Sequence, residues 1–413
     1  MTHTHPQTLS PWATRIPLIV LAIGFLSIPF SPTLNSLILI TGLWCVINPA
    51  LRQELIFFIK QPAFFWGCAF YIWMMVRMIG GDPIHHHDKI HFFLHYVNMF
   101  LPIFLLPPLI KNKSTQQLMY LCVIISTLCI SVLIWLNNLD LSASIRSYYF
   151  SQKWIADPEI EPLSVLYVIA IYLTCLLTLE YKKNKLWLGL GVALILWFTY
   201  FIFAVQIERV GPACYLIVMT YFLFQKLRLK NVLIVLATVV IAIIALFHWE
   251  KKHINPKFVE TYEKIHESIF HPARLPSSTA PDIRIYWYEK GWALFKVKPW
   301  IGYGTGTFNG GDYVYVGIGP DPTFAGHHVT PENNYLAIML SLGSIGLFFF
   351  GLYLWYIWKI TGKLSLENAM YAHGILIIIM CASISYPAFI LNISSITCAG
   401  LLGVTLGQLR KNN

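Results

Sequence analysis

An all-α, polytopic integral membrane protein of about twelve transmembrane helices is the fold class that the sequence predicts, and three observations predict it. The chain is 57% hydrophobic and only 12% charged, a balance no ordinary soluble domain shows. Its apolar runs recur at lengths close to the roughly 20 residues a helix needs to cross a bilayer. Stretches such as VLIVLATVVIAIIALF, 232–247, are apolar on every face. A membrane β-barrel would instead alternate polarity over segments of roughly ten residues, and helices and closed barrels are the two structures that satisfy their backbone in lipid.

Taken in order, the spans are expected at about 16–30, 33–50, 61–79, 90–110, 117–136, 162–180, 186–205, 210–225, 231–249, 333–357, 367–389 and 391–409. The first, Ile16 to Phe30, ends in proline-containing sequence without a small-residue cleavage pattern, so it is expected to be retained rather than removed as a signal. An N-terminus inside the cell places Arg15, Arg52, Lys60, Lys111, Lys113, Lys182, Lys183, Lys185, Lys226, Arg228, Lys230, Lys359, Lys363, Arg410 and Lys411 on the cytoplasmic side. The opposite short loops hold Arg77, Lys89, Arg146, Lys153 and Arg209. That asymmetry is the positive-inside pattern, and it accounts for a net charge of +10 without a nucleic-acid partner. Both termini are therefore expected in the cytoplasm, with residues 1–413 forming one membrane domain. One large external loop, about 250–332, is inserted between the ninth and tenth spans. All eight cysteines fall inside the expected spans, so none is placed to staple that loop.

The loop changes character along its length. KFVETYEKIHESIF, 257–270, sets Phe258, Tyr262, Ile265 and Ile269 at helical spacing, the stripe of a helix lying on a membrane surface. RIYWYEKGWALFKVKPW, 284–300, begins with Arg284, gathers Ile285, Tyr288, Trp292 and Phe295 on one face, and stops at Lys298-Pro299. IGYGTGTFNGG follows, and Gly302 and Gly304 would let backbone come close to a ligand. No strand precedes these glycines, which sets them apart from a dinucleotide-binding fingerprint.

Two arginines and one polar cluster carry the chemistry. Arg209, in FAVQIERVGPACYL, sits at the external boundary between two spans, and Arg284 opens the helix in the loop. A guanidinium at a membrane rim can snorkel or pair with a neighbour such as Glu208, yet it is also the side chain best suited to bidentate contact with phosphate. GHHVTPENNYL, 326–336, packs His327, His328, Glu332, Asn333 and Asn334 against the start of the tenth span. Its ordinary reading is a helix cap followed by loop histidines, and its chemical reading is a general base. His85, His86 and His87, flanked by Asp82 and Asp88, have metal-ligand side chains, but adjacent histidines lack the helical spacing of a built site, so no metal is expected. Trp154, Tyr303 and Tyr315 could stack on sugars, while Trp and Tyr also favour membrane interfaces. A transporter would carry charges midway through its spans and two similar halves, whereas this chain has few charges within its spans and is lopsided, with its large loop after the ninth.

The order of ERVGPA (208–213), RIYWYEKGWALFKVKPWIGYGTGTF (284–308) and HHVTPENNYLAIMLSLGSIGLFFFG (327–351) resembles the O-antigen ligase and polymerase superfamily of bacterial envelope glycan assembly. The resemblance covers mainly residues 186–357. It implies a GT-C-like helical bundle in the inner membrane and an active site on the periplasmic side. Arg209 and Arg284 would hold the diphosphate of an undecaprenyl-linked glycan donor, with lipid A-core as acceptor. Gly302, Gly304 and Asn333 would support them, without metal or other cofactor. Many members carry His-Asn before the aromatic-Leu pair of the third motif, whereas this chain reads Pro331-Glu332-Asn333-Asn334-Tyr335-Leu336. Either Glu332 replaces that histidine as base, or His327 or His328 reaches the same place. The expected reaction is direct displacement with inversion at the anomeric carbon. A polymerase, or a protein O-oligosaccharyltransferase, would use the same donor and the same residues.

Overall fold

The computed structural model describes residues 11–28, 31–80, 86–138, 161–205, 210–227, 282–306, 333–385, 388–389 and 392–409. Thirteen α-helices account for nearly all of them: α1 Pro11–Leu26, α2 Ser31–Ile47, α3 Pro49–Ile59, α4 Pro62–Ile79, α5 His86–Leu105, α6 Lys113–Asn138, α7 Glu161–Glu180, α8 Lys185–Tyr200, α9 Val210–Lys226, α10 Asp282–Val297, α11 Asn334–Thr361, α12 Leu366–Ser385 and α13 Asn392–Leu406. No strand occurs among the described residues. Among the described residues six stretches are long and apolar enough to cross a membrane: Pro62–Ile79, Lys113–Leu136, Leu163–Glu180, Lys185–Phe203, Asn334–Thr361 and Leu366–Ser385. Shorter apolar stretches are Arg15–Leu26, Ser36–Ile47, Tyr96–Leu109 and Ile393–Leu406. The protein is thus a polytopic helical membrane protein, while the count of twelve exceeds what the described residues carry by length and composition. The ninth expected span, 231–249, lies outside the described residues.

One element differs outright from expectation. The span pattern leaves 51–60 to a cytoplasmic loop, yet Pro49–Ile59 is the helix α3. Asn48 caps it by accepting from the Ala50 N–H at 3.1 Å, Pro49 fits the first turn, and Leu51, Leu55 and Phe58 recur at helical spacing as its buried stripe.

α7 is the hub of the bundle and packs on α6, α8, α9, α12 and α13. Every residue from Leu163 to Leu177 is at most 8% exposed, which is why its sequence is apolar all round rather than striped. α8 is the opposite case: Leu186, Leu190 and Leu196 stand exposed, as suits a helix that faces lipid.

At one end of the bundle the charges pair. Lys113, opening α6, meets Glu367 at 2.9 Å and Glu180 at 3.4 Å. Tyr371 and Gln117 also donate to Glu180, and Gln116 bridges the Tyr120 hydroxyl and Asn368. The start of α6, the end of α7 and the start of α12 therefore share one face, together with Lys111 beside Glu54 of α3. The opposite end of α12 borders the candidate site.

Candidate functional site

The site is built on α10, α11 and the segment between α10 and residue 306. α11 is one helix in name and two in geometry, because Gly343 adopts φ 69 and ψ −172 and breaks it nine residues after Asn334. At about 1.5 Å per residue the break lies roughly 14 Å inside the span. A broken helix exposes carbonyls on one side of the break and N–H groups on the other, and lipid offers no partner for either. Residues 299–305, hereafter the strap, supply both. The carbonyls of Pro299 and Trp300 accept from the N–H groups of Ser344 and Ile345 at 2.8 and 3.3 Å. The N–H groups of Tyr303 and Gly304 donate to the carbonyls of Leu340 and Ser341 at 2.8 and 2.9 Å. The strap's carbonyls serve the start of the inner half-helix, and its N–H groups serve the end of the outer one.

Glycine is required on both sides of this contact. Gly302 has φ 64, and a Cβ there would lie 2.6 Å from the Leu340 oxygen; a Cβ on Gly343 would lie 2.1 Å from the Trp300 oxygen. Gly304 and Gly306 also have positive φ, 124 and 80. The glycine-rich turn does permit close backbone approach, as its composition suggests, but what approaches is α11. α4 closes the other side. Trp73 donates its indole N–H to the Leu342 carbonyl at 2.9 Å, and the Thr305 hydroxyl donates to the Met74 carbonyl at 2.6 Å. Arg77, in the last turn of α4 and only 9% exposed, donates to the carbonyls of Gly302 and Gly80, each at 3.2 Å. Its own carbonyl accepts from the Thr305 N–H at 3.3 Å.

With the strap fixed, α10 runs beside the outer part of α11. The side of Gly291 faces Leu336, where a Cβ would come within 2.8 Å of a leucine methyl, and the Tyr303 hydroxyl donates to the Leu294 carbonyl at 3.0 Å. One end of α12 gathers three different elements. Tyr288 of α10 donates to the Ile384 carbonyl at 3.0 Å. Asn334 of α11 is fully buried; its amide oxygen accepts from the N–H groups of Ala388 and Phe389 at 2.9 and 2.7 Å, with the Ser383 hydroxyl 3.2 Å away. α9 packs antiparallel against α12, with Cys214 against the Ile378 carbonyl and Tyr221 against His373, so Val210 falls level with the same last turn. The starts of α9 and α11 and the first half of α10 thus converge on Ser383–Ile384.

Arg284 lies in α10, one helical turn before Tyr288. Arg209 immediately precedes α9 and lies outside the described residues, as do His327, His328 and Glu332. Asn333 is the N-cap of α11 and accepts from the Leu336 N–H at 2.9 Å, a capping role that the polar cluster at 326–336 offers to several side chains. Gly302 and Gly304 belong to the strap. His86 and His87 fall in the first turn of α5, whereas His85 lies outside the described residues. Three participants escape a reading of the sequence. Arg77 counts there only as an external cation, Gly343 only as part of a span, and Trp73 not at all. The signal available is the small-residue run LSLGSIG, since a Gly/Ser pair in a helix is a recurrent place for a kink.

Residues 212–351 match the family model described as O-antigen ligase. The match runs from the first turn of α9 to the inner half of α11, so it spans α10, the strap and the break, and it starts three residues after Arg209. None of the curated proteins compared with the chain matches it.

Proposed function

We propose, from the match of residues 212–351 to the family model described as O-antigen ligase, that the protein transfers glycan from undecaprenyl diphosphate to lipid A-core at the periplasmic face of the inner membrane. The observation that carries the reading is the convergence of Val210, Tyr288 and Asn334 on the last turn of α12. Arg209 adjoins the first, Arg284 stands one turn from the second, and the His327–Glu332 stretch leads into the third. The described neighbours Val210, Tyr288 and Asn334, far apart in sequence, lie at the end of the bundle opposite the Lys113–Glu180–Glu367 cluster, which the charge pattern assigns to the cytoplasm.

The chemistry asks little more of the chain. The donor's leaving group is already activated, so the protein must grip two phosphates, hold the acceptor hydroxyl in line behind the anomeric carbon, and take its proton. Two guanidinium groups would stabilise the charge that develops on the departing diphosphate, and aligned donors of this kind are each worth roughly 100-fold or more in rate. His327, His328 or Glu332 would accept the acceptor's proton. One displacement forms the new glycosidic bond as the bond to diphosphate breaks, which inverts the anomeric centre.

Deletion of the gene followed by glycan analysis of the envelope tests the reading. A ligase leaves polymer stranded on undecaprenyl diphosphate and lipopolysaccharide without it. Lipopolysaccharide capped by a single repeat would instead assign the protein as a polymerase, and an unchanged envelope would remove it from this pathway. Arg209→Ala and Arg284→Ala are each expected to lower transfer by about 100-fold; undiminished transfer in Arg284→Ala would refute the donor site. The pH dependence separates the bases. A histidine base loses activity as pH falls through about 6.5, because protonation removes its lone pair, whereas a glutamate of ordinary acidity holds its rate down to about 4.3.

A further inference from the structure

We propose that Arg77 is a positioning residue for the donor site, acting through the strap to set where α10 holds Arg284. The inference rests on the reading above only in taking Arg284 to be the residue that meets the donor. Its support is the way four backbone bonds and one buried guanidinium share a single short segment. Arg77 grips the strap at two points: its guanidinium holds the Gly302 carbonyl and its carbonyl holds the Thr305 N–H. Between those two points the strap passes its N–H groups from Tyr303 and Gly304 to the outer half of α11. The guanidinium is tied back to its own helix end through Gly80, so it has little freedom to follow the strap if the strap moves.

The mechanical consequence follows from connectivity. α10 ends at Val297, two residues before the first strap carbonyl that caps α11, and no flexible linker separates them. A displacement of the strap along α11 is therefore transmitted to α10, which packs on Leu336 of α11 through Gly291 and whose Leu294 carbonyl is held by the strap's Tyr303 hydroxyl. Arg284 lies about two helical turns beyond Gly291, so a small tilt at the strap becomes a larger displacement there. Misplacement of a binding group by about 1 Å is enough to cost about 100-fold in rate. An exposed cation at the end of a span would snorkel to water; Arg77 instead directs its donors to two backbone carbonyls, where a lysine could not span both in a fixed plane.

The test uses the full-length protein in membranes, with undecaprenyl-diphosphate-linked glycan as donor. Arg77→Gln is expected to lower transfer about 10- to 100-fold, with the donor KM raised and the acceptor KM unmoved, and Arg77→Lys to recover part of the loss. In an Arg284→Ala background the same Arg77→Gln change should add less than about twofold, since both act on one contact. A separate readout needs no activity: a cysteine pair placed at Gly291 and Leu336 is expected to cross-link with Arg77 present and to cross-link less in Arg77→Gln. Native transfer in Arg77→Gln, or losses that multiply fully with Arg284→Ala, would overturn the proposal. Full activity of Arg284→Ala alone would instead defeat the donor-site reading while leaving the cross-linking result to stand on its own. Should Arg77→Gln fail to accumulate, Thr305→Val removes one bond of the same lock and is expected to show the same non-additivity at about threefold.

Discussion

α7 and α11 both run through the middle of the bundle, and they meet the demands of the bilayer in opposite ways. α7 keeps its hydrogen bonds to itself and surrounds them with side chains, so that fifteen consecutive residues, Leu163 to Leu177, are buried by neighbouring helices. Two of its buried polar groups bond to helix carbonyls, the Thr174 hydroxyl to Ala170 and the Tyr172 hydroxyl to Met370. α11 gives up its own hydrogen bonds at Gly343 and borrows partners from the strap, some forty residues upstream. The lesson is that a span can be an inert pillar or a socket. The pillar depends on side-chain volume, whereas the socket depends on backbone geometry.

Substitutions can break that contrast at graded cost. Gly343→Ala should be the most damaging, because its Cβ would meet the Trp300 carbonyl and a non-glycine residue resists φ near +69. A loss of about 4 kcal/mol or more is expected, seen as collapse of the monodisperse peak in detergent; a Gly343→Ala variant that melts like the parent would show that the break is dispensable. Gly374→Ala probes the pillar. Its Cβ would overlap the Tyr172 ring at 2.1 Å, yet a ring can shift where a carbonyl cannot, so about 2 kcal/mol is expected, and a cost above that of Gly343→Ala would reverse the argument. Asn334→Ala leaves the Ala388 and Phe389 N–H groups without their acceptor and should cost about 1–2 kcal/mol by thermal melting, with Asn334→Asp costing less because an acceptor remains. Ser344→Ala sharpens the comparison at its mild end. The hydroxyl and the backbone N–H both donate to Pro299, each at 2.8 Å, so removing the former should cost about 0.5–1 kcal/mol.

The helical membrane architecture was legible because it rests on side-chain composition, and composition is written in the sequence. The amphipathic run 284–300 and its stop at Lys298-Pro299 foretold α10, whose helix ends at Val297. The strap was not legible in the same way. Its bonds are backbone to backbone, and any residue carries those groups, so the glycines Gly302, Gly304 and Gly343 were the sole trace of a contact between segments distant in sequence. α3 escaped notice because its three-residue apolar stripe, Leu51, Leu55 and Phe58, follows so soon after an apolar span that the pattern merges with it. Arg77 was legible only as an external cation, because the backbone carbonyls of Gly302 and Gly80 that its guanidinium meets leave no mark in side-chain identity.

The socket also constrains the order in which the chain can be assembled. Translation delivers α4 first, then α10 and the strap, and α11 only afterwards. Until α11 emerges, the strap's amides have no helix to serve, and once α11 enters the bilayer its severed turn cannot wait long in hydrocarbon. Insertion of this span is therefore coupled to the return of a segment made earlier, and the step resembles closing a latch on a part already delivered. A chain truncated before residue 340 should consequently leave the 299–305 backbone open to proton exchange, and one that carries the whole of α11 should shut that exchange down.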